Sequence, residues 1–387
     1  MKQNAHRRRR RRVRKRWIAL VCCLLLVVPA VSYVRALLYP GNASFSVRTV
    51  EWFRDHGGGP IVDAIENWKY SRNQPPATGT PSDITAPSVT VPGGGPATAS
   101  RSTGATHAAA ATLPVVKVLP GVRALPHEGA WSVARQTTAG KPLLWTTWFR
   151  PDPAHLPVSV AAALIPQSAN RLVLMPGTRE PVVGMASRHG YSVPSTDHAA
   201  LVATFNGGFK MKDSHGGWWT TESAAVPLVD GRASVVIFRD GTARIGTWNR
   251  TVRMTPDVVA VRQNLDQLIV DHRIVDGLTG NANGAWGSYR SQYQYTWRSG
   301  LGTDAHGNLI YVAGQGLTLA TLAAAMQQAG IAQGMELDIH AAMVSFDIEQ
   351  PGPHGTVTGR RLLASMNSPS DRYLVDDQRD FFYVVVK

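Results

Sequence analysis

The sequence predicts an α+β protein: mixed, largely antiparallel β-sheets flanked by helices, preceded by a single N-terminal transmembrane helix. Three observations carry this prediction. Short apolar runs rich in β-branched residues recur through the second half of the chain, several of them closed by Asp-Gly turn pairs. A run of strong helix formers, Ala320–Ala329, lies between two such strands and is closed by Gly330. An uncharged apolar run of 18 residues, Trp17–Val34, directly follows a block of arginines.

Taken in order, residues 1–16 form a basic tail. It holds ten of the basic residues, so the formal charge of +14 leaves +4 for everything beyond it. The basicity is therefore local, and a nucleic-acid partner is not expected. Residues 17–39 read as a membrane anchor with Trp17, Tyr33 and Tyr39 at its interfaces. Positive charge before the span keeps the N-terminus in the cytoplasm and puts the rest outside, as a single-pass protein of the plasma membrane. A cleaved signal peptide, with Val28-Pro29-Ala30 as a poor cleavage site, is the competing reading; the length of the run favours an uncleaved anchor. Both cysteines, Cys22 and Cys23, lie inside the run. That excludes a disulfide, a cysteine nucleophile and a thiolate zinc site from the outer part.

Residues 40–73 predict two juxtamembrane amphipathic helices split at Gly57-Gly58-Gly59-Pro60. Val47, Val50, Trp52 and Phe53 mark one apolar face; Ile61, Ile65 and Trp68 mark the other. They lie on the bilayer surface or pair as an ordinary helical hairpin. From 74 to 112 the chain is rich in Pro, Gly, Ala, Ser and Thr, which predicts a tether unable to bury a core. Residues 113–387 are then the globular domain. Strands are expected at Leu143–Phe149, Val158–Ile165, Leu172–Met175, Leu201–Phe205, Val235–Phe238 and Leu268–Val270. Next come a hairpin of Arg298–Thr303 and Leu309–Ala313 turning at Asp304–Asn308, then the Ala320–Ala329 helix. No nucleotide-binding glycine motif and no zinc-type His/Cys spacing is present, so no cofactor and no metal is expected.

The last predicted strand, Glu336–His340, carries the chemistry. Strict alternation places Glu336, Asp338 and His340 on one face, with Leu337 and Ile339 in the core. Same-face neighbours on a strand lie roughly 6.5 to 7 Å apart, about the separation at which one carboxyl acts on a leaving group and another on water. An edge strand with a wet face would show the same pattern.

An ordered set of motifs surrounds this strand: Asn206-Gly207-Gly208-Phe209, Asp230-Gly231 and Asp240-Gly241, Asn264-Leu265 with Leu268-Ile269-Val270-Asp271, Arg298 to Asp304, Gly307-Asn308-Leu309, Gly316-Leu317-Thr318-Leu319 and Glu336-Leu337-Asp338. In order and type this set resembles the phosphodiester glycosidase family. The resemblance implies hydrolysis of a sugar-1-phosphodiester at the glycosidic bond, on a mixed α+β fold. It likens Asn206, Gly207 and Gly208 to the family's NGG turn, Arg298 and Asp304 to its R-x-x-x-G-x-D strand, and Asp338 to the aspartate of its L-D-G-G-G-S loop. In that last motif Ile339-His340-Ala341-Ala342 replace the glycines and the serine is absent. A glycine loop offers backbone N–H groups to phosphate, whereas a continuing strand does not.

The expected roles follow. Asp338 is the base or nucleophile, with Glu336 as second choice and His340 as partner. Arg298 is a phosphate ligand, or else a structural ion pair with Asp304 or Asp338. Asn206-Gly207-Gly208 makes a tight turn whose Asn bonds a sugar hydroxyl. Glu128, beside Trp131, and His215, beside Trp218 and Trp219, are further substrate contacts; His215 is alternatively a surface loop. The substrate is a carbohydrate or sugar phosphate of the cell envelope. Two rival functions stay open: a tethered binder of glycan or teichoic-type polymer, and a metal-dependent phosphodiesterase using Asp338, His340 and Asp304.

Overall fold

The structure is a computed structural model that describes residues 17, 27–39, 41, 43–84, 112–223, 226–281, 284–287 and 292–387. The chain forms two compact units, residues 1–65 and 66–387. Among the described residues no helix is long and apolar enough to cross a membrane. Residues 18–26, in the middle of the expected anchor, and the basic tail 1–16 lie outside the described residues.

In the first unit, helix α1 (Phe45–Phe53) starts at Ser44, whose hydroxyl accepts the Val47 N–H at 3.4 Å. Arg48 on this helix donates to the carbonyls of Ala43 and Leu37 (2.8 and 3.1 Å), and Tyr33 meets Trp52 edge-on at 5.1 Å. A π-helical turn, Arg54–Gly58, breaks the helix where Gly57 takes φ +88°, and helix α2 runs on over Gly59–Arg72. This is the split the glycine run predicts.

Among its described residues the second unit holds seventeen strands: β1 (Ser132–Gln136), β2 (Pro142–Phe149), β3 (Val160–Ile165), β4 (Asn170–Met175), β5 (Leu201–Asn206), β6 (Trp218–Thr220), β7 (Ala233–Phe238), β8 (Ala243–Thr247), β9 (Val258–Gln263), β10 (Gln267–Val270), β11 (Arg273–Ile274), β12 (Thr296–Thr303), β13 (Leu309–Leu317), β14 (Gln333–Ile339), β15 (Phe346–Pro351), β16 (Val357–Arg361) and β17 (Phe381–Val386). Among the described residues two α-helices join them, the single turn α3 (Met211–Ser214) and α4 (Leu319–Gln328). The strands form three sheets, ordered β1-β2-β3-β13-β12-β14-β10-β11, β16-β15-β5-β17-β4 and β6-β9-β7-β8, and every ladder between named strands is antiparallel.

The eight-stranded sheet is covered on both faces, which is why β3 (VAAALI) reads as an unbroken apolar run with all six residues buried. On one face α4 packs Leu322, Ala323 and Met326 against Leu164, Ile310 and Val312. Thr318 and Thr321 form a reciprocal capping box that fixes where this helix begins. On the other face Tyr311 meets an aromatic stack from the five-stranded sheet: Phe205 lies 5.6 Å from Phe346 and 5.4 Å from Phe382. Each such fully buried ring is worth roughly 1.5–3 kcal/mol of transfer free energy, so this stack ties the two sheets together.

The stretch expected as a tether from residue 74 begins differently. Gln74 bonds His155 at 2.9 Å, the Ala77 carbonyl accepts the Leu156 N–H at 3.1 Å, and Asp83 accepts from the Ser365 N–H at 3.3 Å. These polar contacts join residues far apart in the chain, which a composition reading cannot see. Residues 85–111, the rest of the expected tether, lie outside the described residues.

Candidate active site

Strand β14 does not keep the alternation its sequence suggests. Gly300 of β12 pairs with Glu336, but Arg298 pairs with Ile339, so two residues of β14, Leu337 and Asp338, oppose the single Ser299 of β12. This bulge separates the two acids. Glu336 faces α4, on the side where a Cβ on its partner Gly300 would come within 2.5 Å of the Met326 sulfur. There its Oε1 accepts Arg298 Nη1 at 2.7 Å, and both side chains are 1% exposed. Arg298 also donates from Nε to the Leu317 carbonyl at 2.9 Å. It is a structural ion pair, as one of the sequence readings allowed, but with Glu336 in place of Asp304 or Asp338.

Asp338 takes a different arginine. Its Oδ2 accepts Arg379 Nη2 at 2.9 Å and its Oδ1 accepts the Ile339 N–H at 2.8 Å, while its backbone N–H and C=O both bond the Ser299 hydroxyl. His340 then ends the strand with φ +74°. Its ring stacks on Tyr70 at 5.1 Å and bonds the Thr296 hydroxyl at 3.2 Å, with Nε2 3.6 Å from Glu66. The expected single face of Glu336, Asp338 and His340 is thus three separate environments. The expected continuing strand is also a turn, since the Met343 and Val344 N–H groups both donate to the His340 carbonyl.

What gathers around Asp338 is assembled from four segments. Asn206, at the end of β5, is fully engaged: its Oδ1 accepts the Tyr311 hydroxyl (2.9 Å) and the Ser345 N–H (3.1 Å), and its Nδ2 donates to Ser299 (3.1 Å) and Gly207 (2.8 Å). All four of its hydrogen-bonding capacities are used inside the protein, so it joins the two sheets and has none to spare for a sugar. Gly207 and Gly208 are glycines for closeness. A Cβ on Gly207 would stand 2.6 Å from the Asp380 carbonyl; one on Gly208 would stand 2.9 Å from Asn264 Cγ and 3.0 Å from Arg262 Cζ.

Asn264, just after β9, accepts the Phe209 N–H at 3.3 Å and donates to the carbonyls of Glu336 and Leu337 at 2.6 and 2.8 Å. It therefore ties the NGGF segment to the bulge. Arg262 grips Asp380 at 2.8 Å and the Phe209 carbonyl at 2.6 Å. Arg379 closes the ring, donating to the Gly208 carbonyl at 3.0 Å as well as to Asp338. The Asp338 and Arg379 side chains are 9% and 12% exposed, so the pair lies at the rim of the buried structure.

The electrostatics are those of charge held in a poorly solvated place. Burial pushes the Asp338 carboxyl above its ordinary range, against the pull of Arg379 and the Ile339 N–H. Burial likewise raises Glu336, with Arg298 opposing. Lys210, directly after Phe209, is brought down to about 7 by burial, then by the charges of Arg379 and Lys212. Glu180 is raised by burial, opposed by Arg379 and by the Met211 N–H that its Oε2 accepts at 3.1 Å.

The remaining expected residues stand elsewhere in the hydrogen-bond network. Asp304 caps its own turn, its Oδ1 accepting the N–H groups of His306 (2.9 Å) and Asn308 (2.8 Å). Glu128 is paired with Arg150 at 2.7 Å and accepts the Leu125 N–H; these bonds outweigh burial and hold its carboxyl below the usual range. His215 is exposed and caps α3 in the left-handed conformation, φ +51°. No hydrogen bond or ion pair joins Asp338 to His340 or Asp304, and among the described residues no group of three or more His, Cys, Asp or Glu is placed to hold a metal ion.

Sequence reasoning missed Arg262, Lys210, Glu180, Arg379 and Asp380. Lys210 carried a signal, since it directly follows the NGGF segment; Arg379 and Asp380 carried none, because only the pairing of β17 with β5 brings them to this place. Chemically the cluster offers a poorly solvated carboxylate for proton transfer or nucleophilic attack, with arginine and lysine cations beside it for an anion.

No family model matches the chain, and no curated protein matches it. Among solved structures the chain is similar to the catalytic domain of zebrafish N-acetylglucosamine-1-phosphodiester alpha-N-acetylglucosaminidase, auto-inhibited by its pro-peptide. The identity is 15% over 64% of this chain and 85% of that one, with a TM-score of 0.40. It is also similar to a hypothetical protein from Synechocystis, at 14% identity over 59% of each chain and a TM-score of 0.36.

Proposed function

We propose that residues 113–387 form an extracytoplasmic hydrolase that cleaves the glycosidic bond of a sugar-1-phosphodiester or related envelope glycan, with Asp338 as base or nucleophile. The observation that carries the reading is Arg379. Its guanidinium bonds Asp338 on one strand and the Gly208 carbonyl at the end of another, so two motifs far apart in sequence share one cation. Arg379 and Lys210 supply positive charge for the phosphoryl oxygens, the part first given to Arg298. The departure from the L-D-G-G-G-S pattern is smaller in shape than in letters. His340, at a position of the glycine run, adopts φ +74°, the left-handed region that glycine favours.

The same reading makes the chain a single-pass protein of the plasma membrane with this domain outside. The uncharged run after the arginine block supports that topology. Full-length protein assayed in detergent on a panel of sugar-1-phosphodiesters tests the activity. Wild type turns over at least one of them, and D338N, isosteric and still able to bond Arg379, loses at least about 100-fold in kcat. Full turnover by D338N removes Asp338 from the chemistry; no turnover by wild type, with binding retained, leaves the tethered binder.

A further inference from the structure

The proposed reaction needs a second group, and the structure shows where one stands. A phosphate leaving group departs as a stable anion and needs little help from an acid. The demanding proton is instead that of the water attacking the anomeric carbon. A second carboxyl is therefore useful only if it can meet that water, and Glu336, fully buried and committed to Arg298 on the α4 side, cannot.

Glu180 meets the requirement. It ends a tight turn in which the Gly177 N–H donates to the Glu180 carbonyl at 2.7 Å. That turn is laid directly along the segment leading to Arg379: the N–H groups of Thr178, Arg179 and Glu180 donate to the carbonyls of Asp377 and Gln378 at 2.9, 3.1 and 3.0 Å. Gly177 packs so closely that a Cβ there would lie 2.5 Å from the Arg379 carbonyl carbon. On its other side, Glu180 Oε2 accepts the Met211 N–H at 3.1 Å, fixing the carboxyl beside the Asn206–Lys210 segment. The backbone of two loops thus sets Glu180 near Arg379, the arginine that bonds Asp338. Arg379 feels both carboxylates, together with Asp380. Unlike Glu336, Glu180 is only half-buried.

We propose, resting on the hydrolase reading above, that Glu180 is the second catalytic carboxyl of this site and acts as the base on the attacking water. In the step, the water oxygen bonds to the anomeric carbon while its proton passes to the Glu180 carboxylate. The bond from that carbon to the phosphate oxygen breaks and its electron pair leaves with the phosphate monoester, whose charge Arg379 and Lys210 meet. Glu180 thus takes the part of base that the reading above gave to Asp338 as one of two options. Asp338 instead stabilises the positive charge that develops on the sugar ring, and Glu180 then releases its proton to solvent. The groups facing Glu180 are Arg379, Asp380, Arg262 and the Met211 N–H, with burial the largest influence on it. Their sum holds its carboxyl above the ordinary range, so the acidic limb of kcat/KM falls at a higher pH than a free glutamate would give.

The test uses the full chain and two variants. E180Q keeps an acceptor for the Met211 N–H and is checked for an unchanged melting temperature; it should lose about 100- to 10,000-fold in kcat and lose the acidic limb of the pH profile. E180A with added azide should recover turnover and release the glycosyl azide, because azide attacks without giving up a proton. A structural role would not produce that product. Full turnover with an unchanged acidic limb in folded E180Q, while D338N is inactive, overturns Glu180 alone. Absence of azide product in folded E180A overturns it as well. Wild type inert on every sugar-1-phosphodiester overturns this assignment together with the reading it rests on.

Discussion

Arg298 and Arg379 show at the scale of single residues why an arginine's role is not written in its sequence. Both carry the same planar fork, and the resemblance singled out Arg298. In the structure Arg298 is 1% exposed and neutralised by Glu336 at 2.7 Å, whereas Arg379 holds Asp338 at a rim that solvent reaches. Removing one member of a fully buried pair leaves the other charge uncompensated, which costs about 3–5 kcal/mol, while replacing both by apolar residues of similar volume is close to neutral. E336A should therefore lower the unfolding free energy measured by denaturant titration by that amount, and the double variant R298M/E336L should recover most of it. The turnover of whatever folded protein remains should be near wild type. A phosphate-binding Arg298 would give the reverse, normal stability with weakened substrate binding in R298M/E336L. The alternation that would set Asp338 on one face with Glu336 and His340 is broken by the bulge; Asp338 was singled out by its motif. Its partner was not, because Arg379 lies 41 residues away and meets it only through β17.

Among elements, those with local rules were read closely. The hairpin of β12 and β13, its Asp304–Asn308 turn and the α4 helix appear within a few residues of expectation, since turn chemistry and helix propensity act over neighbours in sequence. The β14 bulge was not legible: it exists only as a mismatch of register with β12 and is held open by Asn264 from β9 and Ser299 from β12. The NGG segment lies between these cases. Its glycines were visible, but their reason is the crowding of Asn264, Arg262 and Asp380, which belong to other elements. G208A should force Arg262 or Asn264 aside, costing about 1–3 kcal/mol of stability. Because the Gly208 carbonyl also holds Arg379, it should lower kcat/KM by more than that loss explains. The control is G307A, at an open turn with φ +79°, which should cost stability without a change in kcat/KM. Equal effects of the two on kcat/KM would mean that the close packing at Gly208 does not position the site.

For the molecule as a whole, the face of the five-stranded sheet turned away from the Phe205–Phe346 stack buries two carboxyls that take no part in the site. Asp347 and Glu349 lie on the same side of β15, each 1% exposed; Glu349 accepts the Thr204 hydroxyl at 2.9 Å, and Oδ2 of Asp347 and Oε2 of Glu349 have no hydrogen-bond partner among the described residues. Burial raises Asp347 well above its ordinary range, helped by the charge of Glu349; it raises Glu349 to about 7, with the Thr204 hydrogen bond opposing. The sign of the linkage follows. Below about pH 3 both carboxyls are largely protonated whether the chain is folded or not, and they contribute little pH dependence. As the pH rises the unfolded chain ionises first, so it is favoured until the folded carboxyl also ionises. For Glu349 the folded protein should lose about 3 kcal/mol between roughly pH 4.5 and 7, since each pKa unit is worth about 1.4 kcal/mol. Urea unfolding of wild type and E349Q at pH 5 and pH 8 measures it: the amide cannot ionise, so E349Q should lose less stability than wild type over this range. Parallel losses in the two proteins would mean that Glu349 is ionised and solvated in the fold. Because this window overlaps the acidic limb assigned to Glu180, the kinetic profile is best taken at a temperature where wild type stays folded at every pH. Any change in rate then belongs to the site and not to the sheet beneath it.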